Sequence, residues 1–489
     1  MRRLVGLGIE VSGGSGGTSV GLDELAAAAG RLACEWEQLV AIGVRCALAA
    51  VDPELVVGAQ LSPATSAVAA VALARAVGPT GIEGETARLA GLAVATRGSV
   101  ESYREVEDSV ARGLERVQDV VMFELGRCAP EVLVGVLTLQ ALGVDVGPLL
   151  DRVAYQVPAL ANLGGGAQGL VAGLASDPLT TPLLVPGVVV TVVEALAGQR
   201  GIAPPDGDQV ALRVLAGSAG VVGMLRDDGV ASTTPEALPH AGAAAPHTLA
   251  DLARDLENLS DAEDYPSRVR VTELPQRDGG SAWLVEVPGT QDWGPSAGAN
   301  LADVTSDVAL MSSRSTVLAA AVDEALTNAQ AASGRLAVAL EPVMLAGHSL
   351  GGIAAAGLAS SAGFRARHRV TSVVTLGSPV ARMPVPADIS VLSLEHRQDA
   401  VPHLEGRANP DRRTWVTVTR DLRGDPDHVT TATGAHATRE YVQTAAEVDG
   451  SQAPSVQTWR AQNRQFFEPD GAREPVVRDY HVVRVVPPG

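Results

Sequence analysis

Residues 343–360 run Val343-Met344-Leu345-Ala346-Gly347-His348-Ser349-Leu350-Gly351-Gly352-Ile353-Ala354-Ala355-Ala356-Gly357-Leu358-Ala359-Ser360. The apolar run Val343–Ala346 predicts a short buried strand. Leu350–Ser360, made almost wholly of small residues, predicts a helix. Gly347-His348-Ser349-Leu350-Gly351 must then turn sharply between them. A serine on such a turn sits at strained backbone angles, and glycines two residues to either side let strand and helix approach closely. The turn lifts the hydroxyl above the sheet, with a helix N-terminus behind it that favours developing negative charge. In a chain with 52 glycines a bare GxSxG is weak. The strand before it and the helix after it make it specific.

Outward from this turn the pattern continues. Val269–Leu274 and Ala282–Val287 read as strands joined by the turn Asp278-Gly279-Gly280. Val370–Leu376, Ile389–Leu394 and Trp415–Thr419 read as further strands, with helices over 314–333 and near 435–448. The alternation predicts an α/β domain over 248–489, a parallel-rich sheet with helices on both faces. Residues 1–200 read as an all-helical domain, with apolar residues three and four apart over 22–42 and 100–125 and further helices over 60–77, 131–143, 146–155 and 187–199. Residues 201–247, with Pro204-Pro205, Asp227-Asp228-Gly229 and an alanine-rich run, read as a linker holding one short helix. Gly13–Gly17 reads as a flexible segment. Every candidate catalytic residue lies beyond 248, so residues 248–489 are expected to act alone.

Composition removes several function classes. The 489 residues carry 37 basic groups against 56 acidic ones, a net charge of −19, and all the basic residues are Arg. Without Lys there is no Walker-A lysine, no Schiff-base lysine and no Ser–Lys dyad. Neither half of the chain is basic, which argues against nucleic acid as a partner. Cys34, Cys46 and Cys128 form no CxxC pair, and no HExxH occurs, so neither a disulfide framework nor a zinc site is expected. No metal or organic cofactor is implied. Glu10 and the glycines after it end the first apolar run too soon for a cleavable signal peptide, which leaves a cytoplasmic location by default or export by a leaderless route. The uncharged stretches 153–176 and 178–193 are interrupted by Pro and Gly and read as buried or interfacial helices rather than spans. Contact with a membrane surface or a helical partner through residues 1–200 stays open.

A serine hydroxyl needs a base, and the base needs an orienting acid. All nine histidines lie at or beyond residue 240, so the base must come from the second half. The expected chain order is Ser, acid, His. Asp399 follows the strand Ile389–Leu394 at its C-terminal end, where α/β sheets carry functional groups, and Pro402 stiffens its loop. Glu395 is the rival acid. Two histidines follow at workable distances: His436, at a loop-to-helix junction between Ala435 and Ala437, is favoured over His428, which stands among Asp425 and Asp427. His403 is too near Asp399, and His348 reads as packing within the turn. The backbone N–H of Leu350 is one expected oxyanion donor. Thr290, in Pro288-Gly289-Thr290-Gln291 after the strand Ala282–Val287, is the other.

Residues 283–445 resemble the α/β-hydrolase superfamily, and most the class 3 lipases. The matching stretches are Val287-Pro288-Gly289-Thr290 with Trp293, Ala346–Gly352, Thr375-Leu376-Gly377-Ser378-Pro379 and Asp399-Ala400-Val401-Pro402. The resemblance implies an ester or lipid hydrolase with Ser349, Asp399 and a later His as triad and Thr290 beside the oxyanion. Pro288 departs from the pattern, where Arg is usual. A fainter resemblance links the N-terminal helices, with Tyr103-x-x-x-Glu107, to WxG-motif hairpins exported by type VII systems, although Trp36 is followed by Glu37 and Gln38 rather than a WxG turn. The rival expectation is therefore an exported helical interaction protein whose hydrolase domain is inactive or an acyltransferase.

Overall fold

The structure, a computed structural model, describes residues 8–486 except 51, 142–144, 179, 197–201, 203, 237–243, 262, 264–265, 336–337, 424–428 and 469–472. Nine strands form one sheet among them. They are β1 (Ile9–Gly13), β2 (Val230–Pro235), β3 (Arg268–Pro275), β4 (Ser281–Val287), β5 (Pro342–His348), β6 (Arg369–Leu376), β7 (Ser390–His396), β8 (Trp415–Arg420) and β9 (Val476–Val485). The order is β1-β8-β7-β6-β5-β4-β3-β9-β2. Strands β4 to β8 are parallel, and the flanking pairs β1/β8, β3/β4, β3/β9 and β2/β9 are antiparallel.

Helices cover both faces, as the alternation of elements predicts. Val343 and Leu345 point into one core with the helices Val304–Met311, Val317–Ala332 and Leu350–Ser360. Met344 and Ala346 point into the other with Leu249–Ser260, Thr438–Asp449 and Pro454–Gln462. Successive residues of a strand alternate faces, so a strand buried on both sides reads as an unbroken apolar run. That is why Val343–Ala346 was legible as a strand.

The chain divides into two compact units, Thr18–Gly113 and Met1–Gly17 with Leu114–Gly489. The first is helical, with Thr18–Ala50, Pro53–Leu61, Pro63–Val77 and the part of Ile82–Arg127 up to Gly113. Arg104 pairs with Asp23 at 2.6 Å within it. The α/β unit carries its own helical stretch, with Ala129–Ala141, Gly147–Gln156, Ala167–Ser176 and Thr181–Leu196. Among the described residues between Thr18 and Leu196 every named element is a helix, and the two compact units meet in sequence at Gly113 and Leu114.

Three strands were not anticipated. β1 has five residues between glycines, and its partner β8 lies some four hundred residues on, so nothing local announces it. The segment after it is not a flexible one. Gly13 and Gly14 adopt positive φ, and a Cβ on Gly14 would lie 2.6 Å from Ser455. The expected linker supplies β2 as well as the helix Gly207–Val221. In β9 the apolar alternation is masked, because buried Asp479 pairs with Arg270 at 2.8 Å and buried Arg484 with Asp303 at 2.7 Å. Residues 248–489 alone would lack both β1 and β2. The uncharged stretches form helices of at most 16 residues, short of the about 20 a span needs. One helical stretch among the described residues, Pro63–Arg127, contains a window apolar enough to cross a membrane by length and composition.

Candidate active site

The turn after β5 has the strain its sequence implies. Ser349 has φ 52° and ψ −121°, in the left-handed half of backbone space, where a side chain costs about 1–3 kcal/mol. The glycines around it are sterically required. A Cβ on Gly351 would lie 2.0 Å from the Val287 carbonyl oxygen, and one on Gly347 would lie 2.1 Å from the Gly351 carbonyl carbon. Strand end and helix start therefore touch backbone to backbone. Leu350 opens the helix Leu350–Ser360, and the first N–H groups of a helix have no intrahelical acceptor.

Asp399 and His436 meet Ser349 from two other loops. Ser349 Oγ lies 2.9 Å from His436 Nε2, and His436 Nδ1 lies 2.7 Å from Asp399 Oδ2. A carboxylate only accepts, so Nδ1 carries the imidazole proton and Nε2 faces the hydroxyl as an acceptor. Asp399 follows β7 in a loop pinned by Gln398, whose amide donates to Asp421 and accepts from the Leu422 N–H. His436 ends the short helix Ala432–His436, which Thr431 caps and Asp151 supports through the Thr433 N–H. Tyr155 and Leu422 pack against Ala435 beneath it.

Asp399 is fully buried yet held below the ordinary carboxylate range. Burial opposes its ionisation, but the His436 charge and hydrogen bonds from His436, Tyr441 and the Val401 N–H outweigh it. Tyr441 donates to Asp399 Oδ2 at 2.7 Å, and Val401 N–H to Oδ1 at 2.9 Å. Glu395, the rival acid, instead accepts from Asn409 at 2.5 Å, and burial pushes it up to about 7. His403 lies in the 3-10 turn Val401–His403 that follows Asp399. His428 lies outside the described residues.

Thr290 flanks the serine. A Cβ on its neighbour Gly289 would sit 3.5 Å from Ser349 Cβ and 2.8 Å from His348 Nδ1. Thr290 Oγ1 donates to Asp307 Oδ2 at 2.8 Å. Burial raises Asp307 to about 7, helped by Asp303 and opposed by the Thr290 hydrogen bond and the His436 charge. Ser349 itself is 4% exposed, so its side chain is largely shielded from solvent.

Three residues escaped the sequence reading, Tyr441, Asp307 and His396, while His348, read as packing within the turn, lies with Nε2 2.9 Å from the His436 carbonyl oxygen. Tyr441 stood in view five residues after His436, but nothing local aims its hydroxyl at a loop 42 residues earlier. His396 is buried against Tyr441, ring centroids 3.9 Å apart. No cluster of His, Cys, Asp and Glu suited to a metal ion occurs among the described residues.

Residues 306–447 match the family described as PGAP1-like alpha/beta domain. The match takes in Ser349, Asp399, His436 and Tyr441, but under a third of the chain. It lends nothing to the finer likeness to class 3 lipases or to the WxG hairpin. No curated protein matches the chain, and no solved structure does. The fold, with its parallel strands and its serine-bearing turn, and the family match agree: residues 306–447 belong to an α/β domain of hydrolase-like type, similar to the PGAP1-like domain.

Proposed function

We propose that the protein is a serine hydrolase of carboxylic esters, acting through an acyl-enzyme. The observation that carries this reading is the hydrogen-bonded chain Ser349 Oγ–His436–Asp399, built on a strained strand-to-helix turn. In the proposed reaction Ser349 Oγ attacks the ester carbonyl carbon while His436 Nε2 takes the hydroxyl proton. The carbonyl oxygen becomes an oxyanion, met by the Leu350 N–H at the helix N-terminus and by Thr290. Collapse expels the alcohol, with His436 returning the proton to its oxygen. Water, deprotonated by His436, then attacks the acyl carbon, and the acid leaves as Ser349 regains its proton. Asp399, kept ionised by Tyr441 and the Val401 N–H, balances the imidazolium in both steps.

Turnover of esters of graded acyl length by the full chain tests this. Hydrolysis that falls by about 10³-fold or more in Ser349→Ala supports the reading. Equal turnover by that variant, with an unchanged circular dichroism spectrum, refutes it.

A further inference from the structure

Two imidazoles outside the Ser–His–Asp chain grip the turn that carries the base. His348 Nε2 lies 2.9 Å from the carbonyl oxygen of His436, and His396 Nδ1 lies 2.7 Å from that of Ala435. A carbonyl oxygen only accepts, so each ring bears its proton on the nitrogen named. The second nitrogens are then acceptors. Thr438 Oγ1 is 3.3 Å from His348 Nδ1; Thr444 Oγ1 is 2.7 Å from His396 Nε2 and 3.0 Å from the Glu440 carbonyl oxygen, so its one proton is shared between these two acceptors. His348 and His396 are the last residues of β5 and β7, so both donors are anchored in the sheet on either side of β6. The two carbonyls they meet belong to the last turn of the helix Ala432–His436, where carbonyls lack intrahelical partners.

We propose that His348 and His396 are positioning residues: two neutral imidazoles that hold consecutive backbone carbonyls of the base's own turn, and so aim His436 Nε2 at Ser349 and Nδ1 at Asp399. The assignment rests on the ester-hydrolase reading above. Burial supports it, holding His348 down to about 3 and His396 to about 4, so both rings stay uncharged at neutral pH. Neutrality matters because a charged ring beside the base would oppose formation of the imidazolium. The ring centroid of His348 is only 4.7 Å from that of His436. His396 also stacks on Tyr441, which donates to Asp399, so it steadies acid and base together.

Amide substitutions separate hydrogen bonding from bulk. Gln offers an N–H near the imidazole Nε2 position and Asn one near Nδ1. In the full chain, His348→Gln and His396→Asn are expected to keep kcat within about fivefold of wild type. His348→Met and His396→Leu, similar in size but without the donor, are expected to lose about 10- to 100-fold in kcat with KM little changed. Because both grips act on one turn, the Met and Leu losses combine less than multiplicatively. Equal kcat in amide and apolar variants of unchanged Tm overturns the proposal. If the apolar variants fail to fold, the amide variants decide alone, and a kcat loss beyond tenfold in folded His348→Gln and His396→Asn overturns it. A wild-type chain without esterase turnover refutes the underlying reading instead, so the two failures are distinguishable.

Discussion

Tyr441→Phe removes one oxygen and leaves the ring that stacks on His396. The lost hydroxyl is a 2.7 Å donor to a buried, ionised carboxylate. Hydrogen bonds to charged groups contribute about 1.5–3 kcal/mol net. Asp399 keeps its bonds to His436 and the Val401 N–H, so a loss of about 2 kcal/mol at pH 7 is expected. The pH dependence has a definite sign. Asp399 is depressed in the fold, so the stability it contributes is present above its unfolded value and lost as pH falls through the folded one. Without the phenol the folded value rises, so the variant loses stability earlier on acidification. The deficit is full at pH 7 and shrinks as pH falls through the folded value of the variant and then that of wild type, below which both hold Asp399 protonated. Urea unfolding of both proteins at several pH values measures the effect. Wild-type stability in Tyr441→Phe across that pH range would refute this account of how Asp399 is held.

Ser349→Gly should be more stable than Ser349→Ala by about 1 kcal/mol in thermal unfolding, reversing the usual order, because relief of about 1–3 kcal/mol of strain exceeds the about 0.4–1 kcal/mol of added chain freedom. Asp307→Asn should gain stability relative to wild type as pH rises from 4 to 7. A buried carboxyl raised to about 7 holds its proton in the fold while the unfolded chain has released it, so wild type loses on the order of 3 kcal/mol across that window. Parallel melting curves for the two proteins over that range would contradict the burial argument. His436→Ala should abolish acylation and His428→Ala should leave most of it, as labelling rates with an organophosphorus probe will show.

How far the chain could be read depended on where each constraint lies. Gly347 and Gly351 are demanded by contacts within a few residues of Ser349, or with a strand end that runs beside it, and such steric rules leave a local signature. Asp399 was readable because β7 carries Val391, Leu392 and Leu394 and then gives way to the wholly polar run Glu395–Asp399. The preference for His436 over His428 rests on small neighbours, of which Ala435 is fully buried, while His428 lies outside the described residues. Tyr441, His396 and Asp307 acquire their roles only through tertiary register, and no spacing in the chain encodes which hydroxyl reaches which carboxylate. The sheet edges were hidden for a related reason. β1 and β2 are short and half-buried, and β9 exchanges inward apolar residues for paired Arg and Asp. Periodicity therefore had little to find.

The central claim is that Ser349 is a nucleophile activated by His436. The most direct measurement is the intact mass and peptide map of the native full chain after exposure to a fluorophosphonate. One covalent adduct on Ser349, absent in Ser349→Ala and strongly slowed in His436→Ala, is the predicted result. An unlabelled native chain, or an adduct that forms equally fast without His436, would contradict it.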